Sequence, residues 1–386
     1  MKKLIVAALL SVAAIGVSGY ASSAQIQPNE VTAKGMAEDL ISVTGTQQEA
    51  DAQDTAAETQ AADTTAVSAE TTRSTLTGEI VDAEVASKRP MAIMLNNIVD
   101  ACPQAGIAQA GVVYEAPVEG LLTRLMGIFE TYDLDKIGSV RSCRDYFIDF
   151  AQEFDAIYVH YGQAVYAVDK LNAPGIDNIS GLQYQEGAGS LDGYCGEDIF
   201  YRTTDRVAPH NCYTSYDQLQ TAIDRLEYNK LHYAGFSGHY QFAADGQTVV
   251  PTTGSATKMS PGYPVNQPWF EYNAEEGVYY RYQYGSAQID ELTGEALAYD
   301  NVIFQVCYCE NYDDHGYLKF DTKSGGDAYY FTKGAYQKCT WSTDEPEKYS
   351  SPARYYDENG NEITLNQGKT WVCIIREAGA SDITIE

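Results

Sequence analysis

The apolar positions change their period three times along the chain. Lys2 and Lys3 precede a short apolar run, Leu4 to Val17, which gives way to small residues through Ala24. That is the order of a secretory signal, and the run is too short to span a bilayer comfortably. From about Gln25 to Lys88 the pattern disappears: Ala, Thr, Gln, Ser, Asp and Glu dominate and no aromatic residue occurs. Such a segment buries too little surface to offset its ordering entropy, so residues 25–88 are expected to be a disordered tether, a cleaved pro-segment being the alternative. Pattern returns at Pro90 to Leu95, a continuous apolar run that reads as a strand buried on both faces. Val112 to Glu115 and Thr123 to Phe129 read as two more strands, and Ala156 to Tyr161 as a fourth. Tyr146, Phe147, Phe150 and Phe154 fall at helical spacing, and Ala164 to Leu171 predicts a short helix stopped before Pro174-Gly175.

Ser215-Tyr216-Asp217-Gln218 is a capping box, and Leu219, Ile223 and Leu226 give the following helix an apolar stripe. Near Tyr233 the character changes to short, Tyr-rich strands broken by the turn signals Asp245-Gly246, Thr293-Gly294 and Asn359-Gly360. The expected organisation is a signal peptide (1–24), a tether (25–88), an N-terminal domain (89–232) and a smaller β-rich C-terminal domain (233–386). The fold class is α+β, with a layered sheet-plus-helix N-terminal domain. The tyrosines of the second half, Tyr279, Tyr280, Tyr282 and Tyr284 among them, fit half-buried strand packing better than a ligand-binding face.

Composition narrows the partners. The formal net charge is -29, from 54 acidic and 25 basic side chains. Nucleic acid and anionic membrane surfaces are therefore poor partners, and no transmembrane domain is expected in the mature chain. The eight cysteines divide into Cys102, Cys143, Cys195 and Cys212 before the boundary and Cys307, Cys309, Cys339 and Cys373 after it. In an exported chain that parity predicts disulfides within each domain, with the pairing open. No Cys-x-x-Cys pair occurs, and the Asp357-Asn359-Asn361 spacing departs from a calcium loop, so neither a metal nor a cofactor is expected.

Charged residues inside or beside apolar segments are the places where chemistry can sit. Glu115, Glu119, Arg124, Arg141, Arg144, His160, Arg202, Arg206 and His210 all fall there. His210 lies in Arg206-Val207-Ala208-Pro209-His210-Asn211, in the loop leading to the capped helix, where Pro209 fixes the backbone ahead of it. His210, His160, Glu115 and Glu119 are acid–base candidates, and Arg124, Arg141, Arg144 and Asn211 are candidates for binding an anion. The same residues could instead be Glu-Arg pairs that lock loops onto the sheet, with His210 hydrogen-bonded to a carbonyl.

Arg89 to Met94, Tyr114-Glu115-Ala116-Pro117-Val118-Glu119-Gly120 running into Thr123-Arg124, Ile137 to Arg144, and Ala208-Pro209-His210-Asn211 resemble successive blocks of the YerB-like lipoprotein family. Val278 to Arg281, Asn301-Val302-Ile303 and Asn366 to Trp371 resemble that family's C-terminal domain. The resemblance implies an extracellular or cell-envelope protein of Gram-positive type and no established reaction. Two positions depart from it. Tyr20 stands where the lipidated cysteine belongs, which puts lipid anchoring in doubt, and Cys143 stands where a small residue is usual. Two functions remain open: a non-catalytic module binding a wall component or wall-synthesis protein, which is preferred, and a wall hydrolase or transferase using His/Glu chemistry with an arginine clamp. No Gly-x-Ser-x-Gly elbow is present to support the second.

Overall fold

The computed structural model describes residues 70–386. The expected signal peptide, Tyr20 and most of the tether lie outside these residues. Folded structure begins earlier than the pattern implied. Strand Thr71–Arg73 pairs with Ile80–Asp82, and Leu76 between them is 1% exposed in the core. Residues 70–88 therefore do not belong to a disordered tether: Leu76 in the core, Gly368 N donating to Thr77 O and His232 N donating to Ser87 O hold the segment down.

One large mixed sheet organises the unit. Its strands are β1 (Met91–Asn96), β2 (Val112–Pro117), β3 (Thr123–Phe129), β4 (Ile157–His160), β5 (Asn178–Ser180), β8 (Asn301–Cys307), β9 (Gly326–Thr332), β10 (Ala335–Thr343) and β11 (Thr370–Arg376), with short strands at the far edge. The order β5-β4-β1-β3-β2-β11-β8-β9-β10 carries strands from both sides of Tyr233. The junction is β11, which runs parallel to β2 on one side and to β8 on the other. Strands β1, β2 and β3 are buried at every position, because each is covered on both faces; this is why they read as unbroken apolar runs.

A smaller sheet from the second half includes β6 (Trp269–Asn273) and β7 (Val278–Gln283). Phe270 and Tyr279 from it share a core with Phe304, Phe331 and Trp371 of the large sheet. Helix α2 (Tyr216–Arg225) adds Leu219, Ala222 and Ile223 to that core. Helix α1 (Asp145–Gln152) lies in the other core, where Phe147, Phe150 and the following Phe154 pack with Tyr114, Met94 and Met126. The described unit is mostly strand with few helices, and both halves supply sheets. Among the described residues no helix is long and apolar enough to cross a membrane.

The expected disulfides are absent: all eight cysteines are free thiols. The sheet itself separates several of them. Cys143 lies in the core with Tyr146 and Phe147, while Cys212 lies in the core with Leu219 and Ile223. Likewise Cys307 and Cys339 share the first core and Cys373 the second. Cys307 and Cys339 are also kept apart, since β9 runs between β8 and β10. The even count was compatible with pairing; placement in different cores, or across an intervening strand, prevents it for these partners.

Candidate anion-binding site

The segment between Gly138 and Arg144 is pinned across the ends of the large sheet. Asn96 N donates to Ser139 O, Arg141 N to Met94 O, Tyr161 N to Arg141 O and Cys143 N to Gly162 O. Four main-chain bonds to β1 and the end of β4 fix this segment, so Arg141 and Arg144 project from a rigid backbone. A small three-stranded sheet lies beside it: Tyr201–Arg202, Cys212–Thr214 and Ile137–Gly138. Its pairing sets Arg202 opposite Cys212, next in chain to Asn211 and His210. Ser215 caps the helix as expected, its Oγ accepting from Gln218 N, but the Gln218 side chain takes the Ser215 hydroxyl rather than its backbone N–H, and α2 holds the C-terminal end of this loop.

Four arginines converge here. Arg124, paired in register with Asn96 on β1, donates from Nη1 to Ser142 O at 2.7 Å. Arg144 grips Glu119 bidentately, Nε to Oε1 at 2.6 Å and Nη2 to Oε2 at 2.5 Å, and lies over the Tyr317 ring at 5.3 Å. Arg202 donates to Asn211 Oδ1 at 3.0 Å and stacks over Tyr161 at 5.0 Å. Arg141 differs: its Nε is buried without a hydrogen-bond partner. Burial, then the charges of Arg144 and Arg202, lower its pKa. Arg124 falls to about 9 through burial and then through Arg144 and Arg141. Burial pushes Glu119 upward, but the hydrogen bond and charge of Arg144, with the charge of Arg124, leave it below its ordinary value. Glu119 answers Arg144 and Arg124, Asp100 acts on His210 and Glu197 lines the adjoining cleft, so the four guanidinium groups still outnumber the carboxylates beside them in a chain that is acidic as a whole. Positive charge gathered against that background favours an incoming anion.

His210 completes the cluster. Asn96 Oδ1 accepts from Ile98 N, which turns its Nδ2 toward His210 Nδ1 at 2.8 Å. A neutral imidazole accepting at Nδ1 carries its proton on Nε2, so it can offer a hydrogen bond outward. Burial and then Arg141 lower its pKa, so it stays neutral near pH 7. Asn211 Nδ2 donates to Thr203 O at 2.7 Å, which fixes the amide that holds Arg202. Beside these groups opens a cleft of about 420 Å³ with Tyr161, Phe200, Tyr201, Arg202 and Cys212 in its wall.

Glu115 and His160 do not join them. Glu115 is fully buried on β2, where Oε2 accepts from Arg281 Nη2 at 2.5 Å and Oε1 from Thr123 Oγ1 and Asn266 Nδ2, both at 2.8 Å. Arg281 in turn lies against Phe270 and Trp371. This network ties β2 to β7, with Arg281 Nε and Asn266 Oδ1 left without partners inside it. His160 is also fully buried, donating from Nδ1 to Gly162 O at 2.9 Å, and burial brings its pKa down to about 4 despite the hydrogen bonds. Sequence reasoning missed Arg281 as the partner of Glu115. The signal was present: in Val278 to Gln283 the inward positions are Tyr279, Arg281 and Gln283, so an arginine occupies a core position of an alternating strand. Among the described residues no group of three or more His, Cys, Asp and Glu side chains is placed to hold a metal ion.

The comparisons with known proteins agree on one family. Residues 76–229 match the N-terminal domain, and residues 257–372 the C-terminal domain, of the DUF3048 proteins of unknown function. A protein named "Putative lipoprotein YerB" from Bacillus subtilis (strain 168) is 28% identical over 312 residues, which is 81% of this chain and 88% of the relative. The crystal structure of the Bacillus subtilis YerB protein matches with a TM-score of 0.69 at 26% identity, covering 82% of this chain and 99% of that one. The chain therefore belongs to the YerB-like DUF3048 family, whose two domains lie on either side of the change in pattern near Tyr233.

Proposed function

We propose that this is an exported cell-envelope module that binds, without transforming, an anionic wall component or an acidic segment of a wall-synthesis protein. The working surface in this reading is Arg202, in the wall of the cleft, with Arg141, His210 and Asn211 beside it and Arg124 and Arg144 raising the local potential from behind. The observation that carries it is the unpartnered Nε of Arg141 inside a cluster of four arginines, in a chain with a formal net charge of -29. A buried donor without an acceptor is costly, and an oxyanion admitted past Arg202 to Arg141 would relieve that cost. Export agrees with the N-terminal signal pattern and with the lipoprotein name of the relative.

Binding is favoured over catalysis by what the four acid–base candidates contact. Glu115 and His160 are enclosed, and Glu119 is locked by Arg144, which leaves His210 as the candidate that is neither enclosed nor ion-paired. A paired acid–base mechanism needs a second titratable group within reach of the same substrate, and none of the other three candidates is free to serve. The test compares the chain from residue 25 onward as wild type, Arg141→Gln and His210→Ala. Retention on purified wall fragments, release of soluble muropeptides and thermal unfolding are measured on the same samples. Binding without release, lost in both variants at unchanged melting temperature, supports the module; release that depends on His210 supports an enzyme. Equal retention by all three proteins removes the cluster from the function.

A further inference from the structure

Two mainly apolar hollows adjoin each other where the halves of the chain meet. The smaller, of about 210 Å³, is walled by Pro117 and Leu121 from one half and by Pro261, Tyr263 and Ile375 from the other. The larger, of about 450 Å³, shares Gly262, Tyr263, Pro264 and Asp382 with it and runs on past Pro268 to Trp269. Together they make one groove, and its walls are firm. The Tyr263 hydroxyl donates to Ile374 O at 2.8 Å, and the turn at Gly262 runs so close to Asp382 that a Cβ would lie 2.6 Å from Asp382 Cβ. The Trp269 ring is stacked on Tyr282 at 5.0 Å, and its Nε1 donates to Glu271 Oε1 at 2.8 Å. Each hollow also carries a non-glycine residue held in the left-handed region: Leu121 at φ 62° in the smaller and Gln267 at φ 43° in the larger. A backbone kept there is held by its surroundings, and in this case it presents Leu121 with 47% of its surface exposed.

The charges beside the groove leave one group unanswered. Asp382 is the carboxylate that lines both hollows, and among the described residues it enters no ion pair. Lys258 is already matched by Glu271 at 3.0 Å and lies over the Trp269 ring at 5.2 Å. Arg376 does not reach in: neighbouring strand residues face opposite sides, so it turns away from Ile375 and toward Cys309, which packs on the other core.

We infer that this groove docks an extended peptide segment that combines a lysine with an aliphatic residue, the ammonium at Asp382 and the aliphatic side chain between Leu121, Pro117 and Tyr263. Three features select that occupant. Two hollows joined end to end take successive side chains of an extended segment better than one compact ligand. Proline-rich walls that are already ordered lose little freedom on binding, so apolar contact there is converted into affinity with a small entropic loss. The free carboxylate sits in a chain with a formal net charge of -29, and both the local and the overall field favour a basic partner over an acidic one. Because Asp382 is exposed, its ion pair should change the affinity only about two- to fivefold, and the apolar contacts supply the rest. The site is independent of the proposed function: it takes a cation, and Arg141→Gln leaves it untouched.

The experiment titrates the chain from residue 25 onward with acetyl-leucyl-alanyl-lysine amide and with the same peptide carrying norleucine or glutamate in place of lysine, followed by chemical-shift changes. The lysine peptide is expected to bind about two- to fivefold more tightly than the norleucine peptide, and the glutamate peptide most weakly. Asp382→Asn, at an exposed position, should abolish the difference between lysine and norleucine. Leu121→Gly should weaken all three peptides while leaving the melting temperature unchanged or higher, since glycine accepts the left-handed backbone freely. That pairing of lost binding with retained stability separates a docking role from a structural one. No binding of the lysine peptide at millimolar concentration overturns the assignment. Equal binding of the lysine and glutamate peptides, or unchanged affinity in both Asp382→Asn and Leu121→Gly, overturns it as well.

Discussion

Glu115 and Glu153 are both enclosed carboxyls, and their surroundings differ. Glu115 meets Arg281 and three neutral donors, so its negative charge is matched at every side. Removing one partner of such a pair strands the other, a loss of about 3–5 kcal/mol. Glu115→Ala and Arg281→Ala should each lose stability on that scale, and the double variant should lose clearly less than the sum, as read from denaturant midpoints in a double-mutant cycle. If Glu115→Ala keeps its stability and loses function instead, the enclosed-network reading fails. Glu153 has no arginine; Oε1 lacks a hydrogen bond, Oε2 lies 3.6 Å from His239, and burial raises its pKa to about 8. A carboxyl with a raised folded pKa contributes stability that is complete below the unfolded value near 4.5 and is lost as pH climbs through 8. Between those limits the slope reaches about 1.4 kcal/mol per pH unit for one proton. Glu153→Gln, neutral at all pH, should flatten the decline of unfolding free energy between pH 5 and 8; an unchanged slope means the group is already ionised in the folded protein. His160, lowered to about 4, acts with the opposite sign: its stability is lost on acidification from the ordinary value near 6.5, so a fall in stability at low pH should shrink in His160→Gln.

At the level of elements, the strands that are covered on both faces were legible and the ones that join the halves were not. Met91–Asn96 and Thr123–Phe129 announce themselves because every position is apolar or paired, whereas β11 reads like any other short strand and its place between β2 and β8 depends on registers set hundreds of residues away. The expected short helix before Pro174 divides into a 3-10 turn, Val165–Ala167, and a helix, Val168–Leu171. The arginine cluster was half legible. Its residues stood out as charges in apolar company, yet nothing local separated Arg141, left without a partner at Nε, from Arg144, matched by Glu119, because pairing is a tertiary property. Helix α2 was the clearest element, since the cap is written in four consecutive residues. Ser215→Ala should cost about 1 kcal/mol, within the ~0.5–2 range for lost N-caps. Wall retention should survive that change, because the His210 loop is held independently by Cys212–Thr214 pairing with its neighbours. A Ser215→Ala protein that folds normally and yet fails to bind would tie the site to the helix instead.

Across the whole molecule, the two halves recognised from composition share structure rather than merely touching. Strand β11 lies between β2 and β8, so cutting near Tyr233 exposes the edge of β2 along residues that are fully buried in the intact unit. The same cut separates Glu115 from Arg281, Asn97 from Gln283, Gln104 from Gln288, and Arg206 from Glu291. Each of these leaves buried or half-buried polar groups without partners, and Arg281, with no exposure at all, would have to be solvated in the fragment or remain an unpaired charge. Residues 70–386 should therefore unfold in one transition by calorimetry, with van't Hoff and calorimetric enthalpies in agreement. Residues 70–232 and 233–386 expressed apart should show broad or no transitions, and mixing them should restore part of the cooperative one. Two sharp, independent transitions in the separated fragments would show that the shared sheet is a docking contact between self-sufficient domains.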